Sequence, residues 1–216
     1  MRRIKVGILA SGRGSNLQAL IDASRDGKID ADIAIVISDR ADAVALARAK
    51  DAGVDARYVD PRRKGARLAE ESESEIIRLL DGAGVALVAL AGFMRILSPR
   101  LVRHFSGRIL NIHPSLLPSF PGLHVQKKAL DYGVKYSGCT VHFVDEGVDT
   151  GPIVVQAAVP VVEGDTVERL SERILKEEHR IYAEAVQLFA HGRLKIEGRA
   201  VHVLPERRSD AGSDQL

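Results

Sequence analysis

Four short apolar runs, at residues 4–9, 33–37, 85–90 and 109–112, alternate with Ala- and charge-rich stretches at residues 15–25, 42–52 and 67–80. The runs have strand length and the stretches between them have helical period. This alternation narrows the choice of fold sharply, because parallel strands need long crossovers and helices on the two faces of a sheet supply them. An α/β fold follows, with a mostly parallel sheet and helices on both faces. After Gly122 the rhythm changes. Residues 139–144 and 153–162 are β-rich and joined by a glycine-containing turn, which predicts an antiparallel hairpin added to the sheet. A long amphipathic helix is expected over 166–190, stopped at His191-Gly192, and then a short charged hairpin over 194–203. Residues 1–204 read as a single domain, and 205–216, which lack core residues, as a disordered tail.

The chain has 216 residues, 45% of them hydrophobic, enough to bury a full core. Its 31 basic and 29 acidic residues are interspersed and leave a formal charge of only +2, so no basic footprint for nucleic acid is present. Cys139 is the only cysteine, which rules out an intrachain disulfide. The opening Met1-Arg2-Arg3-Ile4-Lys5 runs into a strand pattern rather than a secretory apolar region, and no apolar stretch reaches the roughly 20 residues that span a bilayer. A compact cytoplasmic protein with small-molecule partners, monomer or homodimer, is the expectation.

Three segments carry chemistry. The first strand runs into Ala10-Ser11-Gly12-Arg13-Gly14-Ser15-Asn16-Leu17, where glycines let backbone approach a ligand and the following helix offers free N–H groups. A monophosphate suits this turn. The bland alternative is a tight turn in which Ser15 or Asn16 merely caps the helix. In a Rossmann-like sheet a dinucleotide is also an option, kept open by Asp39, although Leu17 stands where its fingerprint wants a third glycine. The third strand leads into Ala91-Gly92-Phe93-Met94-Arg95-Ile96-Leu97, a loop suited to a flat heteroaromatic ring or to plain core packing.

Asn111 and His113 close the fourth strand. Alternation puts both on one face, and Pro114 favours an extended His113 at the strand's carboxyl end, where open α/β sheets hold their ligands. The loop that follows, Pro114 to Gly122, is stiffened by three prolines, Pro114, Pro118 and Pro121, and the later turn at 145–151 is acidic, with Asp149 near its end. An amide, a titratable ring and a carboxylate suit acyl transfer through a charged carbonyl oxygen. In the long helix, Val167, Leu170, Ile174, Ile181, Ala185 and Leu188 form an apolar stripe that Glu178 interrupts, so this carboxylate needs a Lys or Arg partner or an amine-bearing substrate. The seven histidines show no close ligand pair, and no metal is expected.

Taken together, Ser11 to Leu17, Ala91 to Leu97, the run Asn111-Ile112-His113-Pro114-Ser115-Leu116-Leu117-Pro118 and Asp149-Thr150-Gly151-Pro152 resemble the phosphoribosylglycinamide formyltransferases of de novo purine synthesis. The resemblance implies formyl transfer from 10-formyltetrahydrofolate, a cosubstrate, with no tightly bound cofactor. It implies a catalytic set of Asn111, His113 and Asp149, with Asn111 donating to the developing oxyanion and Asp149 setting the charge of His113. Gly14, Ser15 and Asn16 would hold the ribose phosphate of glycinamide ribonucleotide, and Glu178 its amine region. Met94, Arg95, Ile96 and Leu97 would hold the pterin, with Asn111 beside it, and Arg67 the distal part of the folate. Formyltetrahydrofolate hydrolases and methionyl-tRNA formyltransferases share the Asn, His and Asp, but usually carry a further domain for which a chain of this length has no room. A non-catalytic Rossmann-like nucleotide binder leaves the Asn111, His113 and Asp149 coincidence unexplained.

Overall fold

A computed structural model describes residues 3–206. The elements follow in the order β1 (Ile4–Leu9), α1 (Ser15–Arg25), β2 (Ala31–Ser38), α2 (Val44–Asp51), β3 (Asp55–Tyr58), α3 (Glu70–Gly82), β4 (Leu87–Leu90), α4 (Pro99–His104), β5 (Ile109–His113), α5 (Val125–Tyr132), β6 (Tyr136–Phe143), β7 (Ile153–Pro160), α6 (Val167–Ala190), β8 (Leu194–Glu197) and β9 (Ala200–Val203). Seven strands form one sheet in the order β3-β2-β1-β4-β5-β6-β7. The first five are parallel, and β6 and β7 are antiparallel additions at one edge. The expected α/β architecture is present, and β8 with β9 makes the separate short hairpin.

Alternation along the strands splits the core into two layers. On one face Val6, Ile8, Leu87, Ala89, Leu110 and Ile112 pack with Leu17, Leu20 and Ile21 of α1 and Leu170, Ile174 and Ile181 of α6. On the other, Leu9, Val88, Leu90 and Ile109 meet Ile76 and Leu80 of α3 and Leu101 of α4. By the same alternation Asn111 and His113 fall on the side of Ile109, away from α6. Gly7 sits where β1 crosses α3, and a Cβ there would lie 2.4 Å from Leu80 Cδ2, so the close approach requires glycine.

Sequence reading missed three elements. The edge strand β3 is largely exposed and carries no apolar run, so it has no period to read. Helix α4 is one and a half turns long and is set by its cap rather than by a stripe: Ser98 accepts from the Leu101 N–H and Pro99 occupies the first turn. Helix α5 follows the proline loop and buries only Val125 and Ala129. Helix α3 starts at Glu70 rather than 67 because residues 66–67 are drawn into an extended contact, Arg67 bridging Ile96. Similarly α2 starts at Val44 and β4 at Leu87. The long helix is capped by Thr166, which accepts from the Arg169 N–H, and Gly192 follows it at φ 63°. Of the expected tail, residues 207–216 lie outside the described residues; Glu206 pairs with Arg193 at 3.3 Å.

The buried stripe of α6 also includes Tyr182, whose hydroxyl faces the Leu90 carbonyl at 3.0 Å and the Leu110 carbonyl at 3.1 Å. This one donor joins the helix to the end of β4 and to the start of β5. Replacing Tyr182 by Phe should lower the unfolding free energy by about 0.5–1.5 kcal/mol, the net worth of such a bond. Urea unfolding of Tyr182→Phe beside the native chain measures it; an unchanged midpoint would show that the hydroxyl contributes nothing.

Candidate active site

Strand order reverses direction between β1 and β4, and a crevice opens there at the carboxyl ends of parallel strands. A cleft of about 680 Å³ occupies it, walled by residues from the ends of β4 and β5, the proline loop, the 144–149 turn and α6. Asn16, Asn111, His113, Asp149 and Glu178 all line it, together with Met94, Arg95, Ile96 and Leu97. Residues up to 162 positions apart thus share one space.

The centre is built by antiparallel pairing. In the β5–β6 ladder Asn111 lies opposite His142 and His113 opposite Thr140. Directly opposed residues project to the same face, so the amide and the His142 ring meet, with Asn111 Nδ2 3.1 Å from His142 Nε2. The other ring nitrogen, Nδ1, is 2.8 Å from the Phe143 carbonyl, which only accepts. Nδ1 therefore carries the proton, and Nε2 accepts from Asn111. Burial pushes the His142 pKa down, keeping the ring neutral in this role. Asn111 is thus held by one N–H while the residue lines the cleft.

His113 is 5% exposed. Its Nε2 lies 3.1 Å from the Phe120 carbonyl and its Nδ1 3.5 Å from Asp149 Oδ2. Both ring nitrogens face acceptor oxygens. Asp149 Oδ2 also accepts from the Gly122 N–H at 2.9 Å, and its Oδ1 is 3.8 Å from His142 Nε2. The three residues expected to act together are brought together.

Their supports carry backbone strain. Phe120, His124 and Asp149 all have positive φ, at 53°, 57° and 56°, and all belong to the two segments that meet at His113. The proline loop is stiffened by more than its prolines: Thr140 Oγ1 accepts from the Leu117 N–H and donates to the Ser115 carbonyl, and Gln156 donates to the Leu117 carbonyl. The 145–151 turn is closed by Asp145, which accepts from Gly147 N–H and Thr150 Oγ1. Arg103 holds Glu146 at 2.7 Å and Arg199, in the β8–β9 turn, donates to the Thr150 carbonyl. At Gly151 a Cβ would sit 1.8 Å from the Phe143 carbonyl oxygen, so the turn closes only with glycine.

At the first turn, Gly14 is the residue before α1 and has φ 70° with ψ 33°. A Cβ there would lie 2.9 Å from Ala45 Cα. No side chain caps the helix, so neither Ser15 nor Asn16 acts as its cap. Asn16 instead turns inward. Its Nδ2 donates to Glu178 Oε2 at 2.7 Å, while its buried Oδ1 has no partner among the described residues. Burial pushes the Glu178 pKa up, against the lowering effect of the Asn16 bond. The partner that Glu178 requires is therefore an amide rather than the Lys or Arg of the bland alternative.

The folate-side expectations resolve unevenly. Met94 is 59% exposed at the cleft and Leu97 is buried in its wall. The Ile96 N–H donates to the Ala66 carbonyl at 2.7 Å, drawing the 61–69 loop beside the segment. Arg67 is exposed beside it. Arg95 turns its guanidinium to Asp39, with Nε 2.6 Å from Oδ2, and to the Gly65 carbonyl. Asp39 Oδ1 accepts from Ser11 Oγ at 2.5 Å. Both Asp39 oxygens are thus committed, and the dinucleotide option, which needs that carboxylate free for a ribose, loses its main support. Among the described residues no group of three or more His, Cys, Asp or Glu is placed to hold a metal. No described helix is long and apolar enough to cross a membrane.

Sequence reasoning missed His142, Thr140, Gln156 and the Ser11–Asp39–Arg95 connection. Alternation of Thr140 with His142 was a usable signal, but only the register of β6 against β5 says what they face.

The sequence profile of the formyl transferase family matches residues 4–186. The phosphoribosylglycinamide formyltransferase of Escherichia coli (strain K12) is 43% identical over 205 residues, covering 95% of this chain and 96% of that protein. A solved structure of glycinamide ribonucleotide transformylase 1 from Symbiobacterium toebii superposes with TM-score 0.90 at 56% identity, covering 94% of this chain and 95% of that one. The trifunctional purine biosynthetic protein adenosine-3 of Drosophila melanogaster is 51% identical over 193 residues, 88% of this chain, which spans only 14% of that longer protein. The chain belongs to the formyl transferase family and, within it, to the phosphoribosylglycinamide formyltransferases.

Proposed function

We propose that this chain, as a single domain over residues 1–204, transfers the formyl group of 10-formyltetrahydrofolate to the primary amine of N1-(5-phospho-D-ribosyl)glycinamide. The products are the N-formyl compound and tetrahydrofolate, on the route to IMP in de novo purine biosynthesis. The observation that carries the reading is one cleft holding Asn111, His113 and Asp149 with Asn16 and Glu178. An amine offers donors to the Glu178 carboxylate, held beside Asn16, and the phosphate then falls to the Gly14, Ser15 and Asn16 turn. Met94 to Leu97 take the pterin, and Arg67 the distal part of the folate.

In the reaction the amine nitrogen forms a bond to the formyl carbon, whose carbonyl pair moves to oxygen. Asn111 meets that charge with its second N–H, the first being fixed on His142. Donors already aimed at a developing oxyanion reorganise little, and their removal costs about 10²- to 10³-fold in kcat. His113, held between the Phe120 carbonyl and Asp149, stabilises the same oxygen and supplies a proton toward the folate nitrogen as its bond to carbon breaks. The attacking nitrogen releases one proton in exchange. Enclosure in the cleft favours amine over water as acceptor.

Mixing the protein with glycinamide ribonucleotide and 10-formyltetrahydrofolate should release tetrahydrofolate only when the ribonucleotide is present. Equal release without it would identify a hydrolase and overturn the reading. His113→Ala should lose about 10²- to 10⁴-fold in kcat, with ribonucleotide affinity by calorimetry kept; lost binding at unchanged turnover would remove His113 from the chemistry. A raised Glu178 pKa means that ionisation opposes folding, so its contribution is intact at low pH and declines as pH rises above 4.5 toward the folded value. Glu178→Gln should flatten that decline in urea titrations between pH 4.5 and 8 while weakening ribonucleotide binding. Stability profiles that coincide would show that the carboxyl is not held against its charge.

A further inference from the structure

Behind the cleft wall a buried node joins the two substrate segments. Ser11, immediately before the phosphate turn, makes two bonds to the segment that lines the folate side: its N–H donates to the Gly92 carbonyl at 3.0 Å, and its Oγ accepts from the Met94 N–H at 2.8 Å. The same Oγ donates to Asp39 Oδ1, and Asp39 Oδ2 accepts from Arg95 Nε. Arg95 in turn reaches the Gly65 carbonyl of the loop that carries Arg67. The Asp39 side chain is 3% exposed and that of Arg95 17%. A carboxylate is the side chain that accepts on both oxygens at once. An aliphatic side chain in its place would leave both the Ser11 hydroxyl and the Arg95 guanidinium without this acceptor.

We propose that Asp39 is a positioning residue that locks the phosphate turn and the folate segment into one register, so that filling either subsite strengthens binding at the other. The inference rests on the two subsites assigned above. The physical basis is shared ordering: a phosphate seated on residues 12–16 immobilises Ser11, and Ser11 with Asp39 fixes Met94 and Arg95, freedom that the folate would otherwise have to remove. By linkage the effect is reciprocal.

Calorimetric titration of the native protein with tetrahydrofolate, alone and with saturating glycinamide ribonucleotide, gives the coupling directly, since this pair cannot react. A tightening of about fivefold or more is expected, equal in the reverse titration. In Asp39→Ala, and independently in Ser11→Ala, the factor should fall to near one. In Asp39→Ala, KM for both substrates should rise together with kcat changed no more than about twofold, the split that separates lost binding from lost chemistry. Native protein that binds each ligand but shows no coupling would overturn the inference and leave the functional reading standing, as would both variants retaining the full factor. Failure of the native protein to bind either ligand alone would sink the functional reading and the inference with it. If a variant does not fold by circular dichroism, the other variant and the native factor decide.

Discussion

The antiparallel register of β6 on β5 is the constraint on which the site depends. It sets His142 opposite Asn111 and Thr140 opposite His113. From that pairing follow the tautomer of His142, the orientation of the Asn111 amide and the anchoring of the proline loop through Thr140. A slip of one residue would turn Thr140 and His142 to the α6 face and bring Cys139 and Val141 beneath the cleft. The apolar side of β6, with Cys139, Val141 and Phe143 packed in the core, resists that slip. Burial also pushes the Cys139 thiol up to about 12, which makes it an inert packing group rather than a nucleophile.

Cost is concentrated where chemistry is placed. Glu178 is buried against its preference for charge, Asn16 keeps an unsatisfied oxygen, and Asp149 holds a left-handed backbone that only the surrounding bonds make tenable. These are the local inconsistencies that an otherwise well-packed fold tolerates at a functional site. The two core layers offset them, with α6 contributing both the deepest apolar stripe and the carboxylate that breaks it.

Much of this was legible in the residues. The strands β1, β2, β4 and β5 are dense apolar runs, and such runs mark parallel strands covered on both faces. Asn111 and His113 were legible as a pair because strand alternation needs no tertiary information. Glu178 was legible because helical period shows which position breaks a stripe. Less visible were β3, α4 and α5, which are short and defined by an edge pairing, a Ser-Pro cap and a preceding loop rather than by period. The extent of the apolar stripe also shifted: Tyr182 and Val186 are fully buried, whereas Val167 and Leu188 are only half-buried.

The sequence by itself determined the alternating α/β plan, the glycine turn at the head of α1, the strand-end pair Asn111 and His113, and the anomalous acid in α6. All are local patterns with periods of two or 3.6 residues, or backbone demands that particular residue types meet. Only the tertiary structure decided that Asp149 reaches His113, that the partner of Glu178 is Asn16, that His142 holds Asn111, and that Asp39 joins Ser11 to Arg95. Each of those contacts joins residues from separate elements, and their distances are set by register and packing, which no local period encodes.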